Sequence, residues 1–205
     1  HEIGHVVCSS ILRKVVPEVA YSTVLNGNGG AFTAFNPDEF YYTKKNSYIN
    51  EIASVCGGYA AEKVIFGDEN VSNGSSSDIS NVTSTLNNLF KNCGFGDKIG
   101  TFVSKQMPSS MLDRNYSIVD DNTIDKLVEQ KIAEGLKLAE ETIEKQKELV
   151  LQMTKYLIKH PKINQKMIRR YIKKYSVDFN YDELDKNQNN FYLDMVAAHF
   201  KEHKV

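Results

Sequence analysis

The chain has 205 residues and a mass of 23.2 kDa, enough for one domain, or two small ones, with a sizeable core. Hydrophobic residues make up 41% and charged residues 25%, with a net charge of −1 and a pI near 6.6, which excludes a globally basic nucleic-acid binder. Cys8, Cys56 and Cys93 form no CxxC pair, so a disulfide framework is excluded and a reducing compartment is favoured, and no run of about 18 apolar residues exists to span a membrane. The first residue is a histidine, as expected of a piece of a longer protein.

Residues 1–16 read as a helix: Ile3, Val6, Val7, Ile11 and Val15 recur at helical spacing, and Pro17 stops the run. The Gly/Asn cluster Asn26 to Gly30, followed by Ala31-Phe32-Thr33-Ala34-Phe35 and Asn36-Pro37, predicts a turn and a short strand. A helical pattern returns over 46–66 with Ile49, Ile52, Ala53, Cys56, Ala60 and Val64 on one side. Gly57-Gly58 interrupts it, each costing about 1 kcal/mol relative to Ala in a helix, so close packing is expected there. Gly67 closes that helix, residues 68–77 read as a polar loop, and its serines are expected to cap a helix from about Asp78 to Lys91.

Gly94, Gly96 and Gly100 predict a turn region, Thr101-Phe102-Val103 a short strand, and 104–121 a loop. From Thr123 the apolar positions Ile124, Leu127, Val128, Ile132, Leu136, Ala139 and Ile143 hold helical spacing through Leu149, Val150, Met153 and Leu157, up to Pro161. Further helices are expected over about 165–174 and 190–201, with polar residues 176–190 as a linker. The fold class is therefore mainly α with a small β element. Lys155 to Lys174 carries eight Lys and Arg, and 117–148 has nine acids against five lysines. A solvated face or charge complementarity between helices explains both better than nucleic acid does. All three cysteines read as small core residues.

The chemistry lies in the first five residues, His1-Glu2-Ile3-Gly4-His5, an HExxH pattern. Positions i and i+4 share a helix face, so two imidazoles can hold one Zn²⁺, while Glu2 is placed to take a proton from water and return it to a leaving amine. Histidines on a solvated face are the plain alternative. A catalytic zinc needs a third protein ligand. Residues 6–15 contain no histidine, and His160, His199 and His203 are remote, which leaves a carboxylate: Glu62, in an otherwise apolar helix, or Asp78, at a helix start. Two other readings stay open. One is a non-catalytic helical interaction or assembly module with a vestigial metal site. The other is a zinc peptidase of a different clan with a His or Glu third ligand.

HExxH, then Gly57-Gly58-Tyr59-Ala60-Ala61-Glu62-Lys63-Val64-Ile65-Phe66-Gly67, then Val71-Ser72-Asn73-Gly74-Ser75-Ser76-Ser77-Asp78-Ile79, resembles in order and spacing the peptidase domain of FtsH-type ATP-dependent zinc metalloproteases. Gly94 to Gly100 resembles that family's turn after the ligand helix, and the likeness covers residues 1–174. It implies a helical zinc-peptidase domain with its β element beside the cleft, hydrolysing peptide bonds in unfolded or membrane polypeptides. By it His1, His5 and Asp78 are the zinc ligands, Glu2 the general base, and Glu62 the carboxylate that orients a ligand histidine. Gly30-Ala31-Phe32-Thr33-Ala34-Phe35 corresponds to an edge strand on which an extended substrate pairs. The resemblance further implies a homo-oligomeric, hexameric ring, with an ATPase motor and a membrane anchor (bacterial inner membrane or organelle) preceding the HExxH helix. This chain has no GxxxxGK[ST] loop, so ATP would be bound only elsewhere in the parent, and no nucleic-acid partner is expected. The departures are Tyr59 where the family has Arg, Asn73-Gly74-Ser75 where it has Thr-Gly-Ala, and a poor match over 18–45. Residues 175–205 have no counterpart and read as a C-terminal extension.

Overall fold

A computed structural model describes residues 1–22, 30–35, 44–96, 121–185, 196–198 and 200–202. The first helix, α1 (Glu2–Cys8), is apolar on nearly every side, and Val6, Val7 and Cys8 are fully buried. A helix with so little polar surface has to be enclosed. Helices α2 (Tyr48–Val55), α3 (Gly57–Phe66), α5 (Asp121–Lys145) and α6 (Lys147–Lys159) pack around it. The helix predicted over 1–16 changes form after Cys8, where Ser9–Arg13 winds as a π-helix ended by Lys14 at φ 61°. Such wide turns often mark functional sites.

The break expected at Gly57-Gly58 occurs at Cys56, which separates α2 from α3. Its packing reason is visible. A Cβ on Gly57 would lie 2.6 Å from the Gly4 carbonyl oxygen, and one on Gly4 would collide with the Gly57 carbonyl, so α1 and α3 touch backbone to backbone. Gly67 ends α3 at φ 91°, a conformation open to glycine. Helix α4 (Ser76–Asn92) starts two residues before Asp78, and Ser75 at its N-cap makes no side-chain capping bond, contrary to the expected serine cap.

Among the described residues, three short antiparallel strands form one sheet in the order β2-β1-β3: β1 (Val19–Ser22), β2 (Ala31–Ala34) and β3 (Lys162–Asn164). Only β2 was expected. The register sets Ala20 opposite both Thr33 and Ile163, and the fully buried Ala20 and Ile163 tie the sheet to the core. Strand β2 therefore lies at an edge, with Phe32 half exposed and stacked on Tyr21 at 5.2 Å.

The long pattern predicted from Thr123 is two helices, α5 and α6, divided at Gln146. Gln146 is 2% exposed, and its amide exchanges two hydrogen bonds with the Val177 backbone, at 2.8 and 2.9 Å. The segment read as a linker docks on the core through residue 185: Leu184 is buried, Phe179 and Tyr181 pack against the core, and Lys14 pairs with Glu183. Helix α7 (Gln165–Tyr175) appears where expected, capped by Asn164. Cys8 and Cys56 are buried as read, with burial pushing their thiols up to about 12 and about 11, but Cys93 is exposed. The strand at Thr101–Val103 and the loop 104–121 lie outside the described residues, except that residue 121 begins α5; of the helix over 190–201, only 196–198 and 200–201 are described, and these are helical. Among the described residues, no helix is long and apolar enough to cross a membrane.

Candidate metal centre

His1, at the N-cap of α1, and His5 stand one turn apart on the partly exposed side of that helix, and the first turn of α4 brings Asp78 to meet them. The His1 and His5 Nε2 atoms are 3.1 Å apart; Asp78 Oδ2 lies 3.1 Å from the first and 3.3 Å from the second. Donors held about 2.0–2.1 Å from a tetrahedral zinc stand about 3.3–3.4 Å from one another. The three atoms therefore already sit at the spacing of one triangular face of such a site.

The outer nitrogens decide what those atoms can do. His1 Nδ1–H donates to Glu62 Oε1 at 2.7 Å, and His5 Nδ1–H donates to the Ser54 carbonyl at 3.1 Å. With a carboxylate oxygen and a carbonyl as the acceptors, both neutral rings carry their hydrogen on Nδ1. Two Nε2 lone pairs and one carboxylate oxygen then converge without a proton between them. That donor set repels itself unless a cation, a metal or a proton, sits among it. His5 shows the proton's side of this: burial opposes its charge, but Asp78, the Ser54 carbonyl and Glu2 outweigh burial and hold its pKa above the ordinary value. The residues present fit a divalent metal such as zinc, with a fourth position open to the cleft.

Glu62 is 8% exposed. Its second oxygen accepts the Ser72 backbone N–H at 2.7 Å, so one carboxylate joins α3, His1 and the loop before α4. Gly58 makes room for the His1 ring: a Cβ there would lie 2.5 Å from His1 Nε2. Glu2, beside His1, receives the Thr33 hydroxyl at 2.6 Å on Oε2. An open cleft of about 700 Å³ runs over these groups, bordered by Ala31, Phe32, Thr33 and Phe35 of the expected strand and by Arg13 and Asn73. Gly30 precedes that strand.

A family model, Peptidase family M41, matches residues 1–171. The chain belongs to that family. It is an FtsH-type peptidase domain, as the three sequence blocks led us to expect. Among its relatives, the ATP-dependent zinc metalloprotease FTSH 1, chloroplastic, of Arabidopsis thaliana is 30% identical over 172 residues, which is 77% of this chain and 24% of the relative. The ATP-dependent zinc metalloprotease FtsH of Lancefieldella parvula is 28% identical over 196 residues, 93% of this chain and 30% of the relative. That of Caldicellulosiruptor bescii is 28% identical over 180 residues, 84% and 29% respectively. The chain thus spans less than a third of the length of these relatives.

The structure brings together His1, His5, Asp78, Glu2, Glu62 and the 30–35 segment. His160 lies apart, its ring against Tyr156 at 4.4 Å, and His199 and His203 fall outside what is described of the side chains. Sequence reasoning missed the Ser54 carbonyl, the Ser72 N–H and the bond from Thr33 to Glu2. The first two are backbone groups, which carry no residue signature. The Gly57-Gly58 pair did signal close packing, but not that the second glycine seats a histidine ring.

Proposed function

We propose that this peptidase domain is a zinc endopeptidase in which His1, His5 and Asp78 hold the metal and Glu2 is the general base. The convergence of three donor atoms, beside a carboxylate and in an open cleft, carries this reading. Zinc held there supplies Lewis acidity toward the scissile carbonyl and makes water more acidic. Glu2 takes the proton of the attacking water and delivers it to the leaving amine. Glu62 holds His1 in the tautomer that ligates, and the Ser54 carbonyl does the same for His5.

Strand β2, outermost in the sheet among the described residues, aligns an extended polypeptide by backbone hydrogen bonds, with Gly30 to Phe35 as the pairing segment, so cleavage tolerates many sequences. Residues 1–174 form the peptidase unit and 175–205 an extension. In the whole protein an ATP-driven motor outside this chain delivers unfolded or membrane polypeptides, a membrane anchor places it in a bacterial inner or organellar membrane, and the working form is a homo-oligomeric, hexameric ring. The relatives' names, ATP-dependent zinc metalloproteases, support the ATP-driven motor and the zinc chemistry.

The test is Glu2→Gln. Removing the base without removing a ligand lowers peptide hydrolysis about 10²–10⁴-fold while zinc stays near one per chain. Undiminished hydrolysis by this variant, measured beside its zinc content, refutes the mechanism.

A further inference from the structure

Thr33 lies on β2, the strand assigned above to substrate pairing, yet its side chain turns inward. Its hydroxyl stands 2.6 Å from Glu2 Oε2 and 3.3 Å from the Glu2 carbonyl oxygen. One hydroxyl carries one proton. The shorter distance is that of a charge-assisted O–H···O⁻ bond, so the proton goes to the carboxylate. The donor is well fixed. Thr33 is opposite Ala20 of the central strand, and a β-branched side chain has few χ1 choices in a strand. The acceptor, by contrast, sits in the first turn of α1 on a side chain with three rotatable bonds. Among the described residues, Glu2 Oε1 has no hydrogen-bond partner, and Glu2 lines the cleft.

We propose that Thr33 is a positioning residue for the Glu2 base: it pins Oε2 so that Oε1 alone receives the water's proton. This rests on the reading of Glu2 as general base. Its consequence is that the strand which aligns the substrate backbone also aims the base, so peptide register and proton transfer are set by one element.

The experiment compares Thr33→Val, which keeps the shape and removes the hydroxyl, with Thr33→Ser, which keeps the hydroxyl, in the full chain. Peptide hydrolysis by T33V is expected to fall about 10–100-fold in kcat with KM changed less than about twofold and zinc content unchanged, and T33S recovers most of the loss. A second readout needs no metal. In EDTA-treated protein, T33V lowers the melting temperature when Glu2 is present but not in a Glu2→Ala background. A raised KM with unchanged kcat, or a Tm shift equal in the two backgrounds, overturns the proposal and leaves Thr33 as a strand residue only. If Glu2→Gln remains active, the mechanism above fails instead, and the metal-free cycle still decides whether Thr33 holds Glu2.

Discussion

Gly58→Ala tests whether the metal centre depends on the close seating of His1. A Cβ at position 58 would lie 2.5 Å from His1 Nε2, 2.6 Å from Cε1 and 2.7 Å from Cδ2, where ordinary contact begins at 3.4 Å. The ring must therefore retreat by about 0.9 Å, several times the roughly 0.2 Å tolerance of a metal–ligand distance. The retreat also breaks the 2.7 Å bond to Glu62. A loss of about 10–100-fold in zinc affinity follows, worth about 1.4–2.7 kcal/mol. The metal-free fold is affected less, because the imidazole is the mobile end of a side chain and alanine favours the helix by up to about 1 kcal/mol. Chelator competition gives the affinity, and melts with and without EDTA separate the two effects. Gly135→Ala is a packing comparison: its Cβ would meet Ile52 Cγ2 at 2.5 Å without touching the His1 ring, so it lowers the melting temperature with and without EDTA alike. Wild-type zinc affinity in G58A would refute the argument.

Two further outcomes are expected. His5 has a raised pKa, so in metal-free protein its protonation stabilises the fold below the ordinary histidine value near pH 6.5, and this is lost as pH rises through the elevated folded value; zinc binding runs the other way because acid must displace the metal, so EDTA-treated and zinc-loaded melts between about pH 5 and 8 should slope oppositely, and parallel slopes refute this. Gln146→Ala removes both hydrogen bonds to the backbone of the half-exposed Val177 and should cost about 1–3 kcal/mol by denaturant unfolding, with a change under about 0.5 kcal/mol counting against the docked tail.

What could be read from the residues alone follows the range of the interactions involved. The helices were legible because each buries a stripe whose period is local: Ile124, Val128, Ala139 and Ile143 face the core as their spacing requires. The division at Gln146 was not, since the apolar period runs through it and the cause is a bond to a residue 31 positions away. Strands β1 and β3 were missed for the same reason. They are four and three residues long, too short to show alternation, and they pair across some 140 residues of chain. In the candidate metal centre, His1, Glu2 and His5 were legible from one helical turn. Asp78 and Glu62 were both candidates on chemistry, and only the family resemblance separated their roles.

Glu62 also yields the sharpest isosteric test, because both of its oxygens are acceptors: one for His1 Nδ1–H, the other for the Ser72 N–H. Glu62→Gln keeps the shape but offers one acceptor and one donor. If the amide oxygen turns to Ser72, the NH₂ faces His1 Nδ1, and that ring must move its proton to Nε2, where it blocks the lone pair that points at His5 and Asp78. If the oxygen turns to His1, two N–H groups face each other at Ser72 and the loop that carries Asp78 into place shifts. Neither orientation preserves both the tautomer and the loop. Zinc affinity should therefore fall about 10–100-fold, or the metal-free melting temperature should drop, although nothing touching the metal has changed. A Glu62→Gln variant with both quantities at wild-type values would show that the tautomer is set elsewhere, and the case for a self-repelling donor set that needs a cation would fail with it.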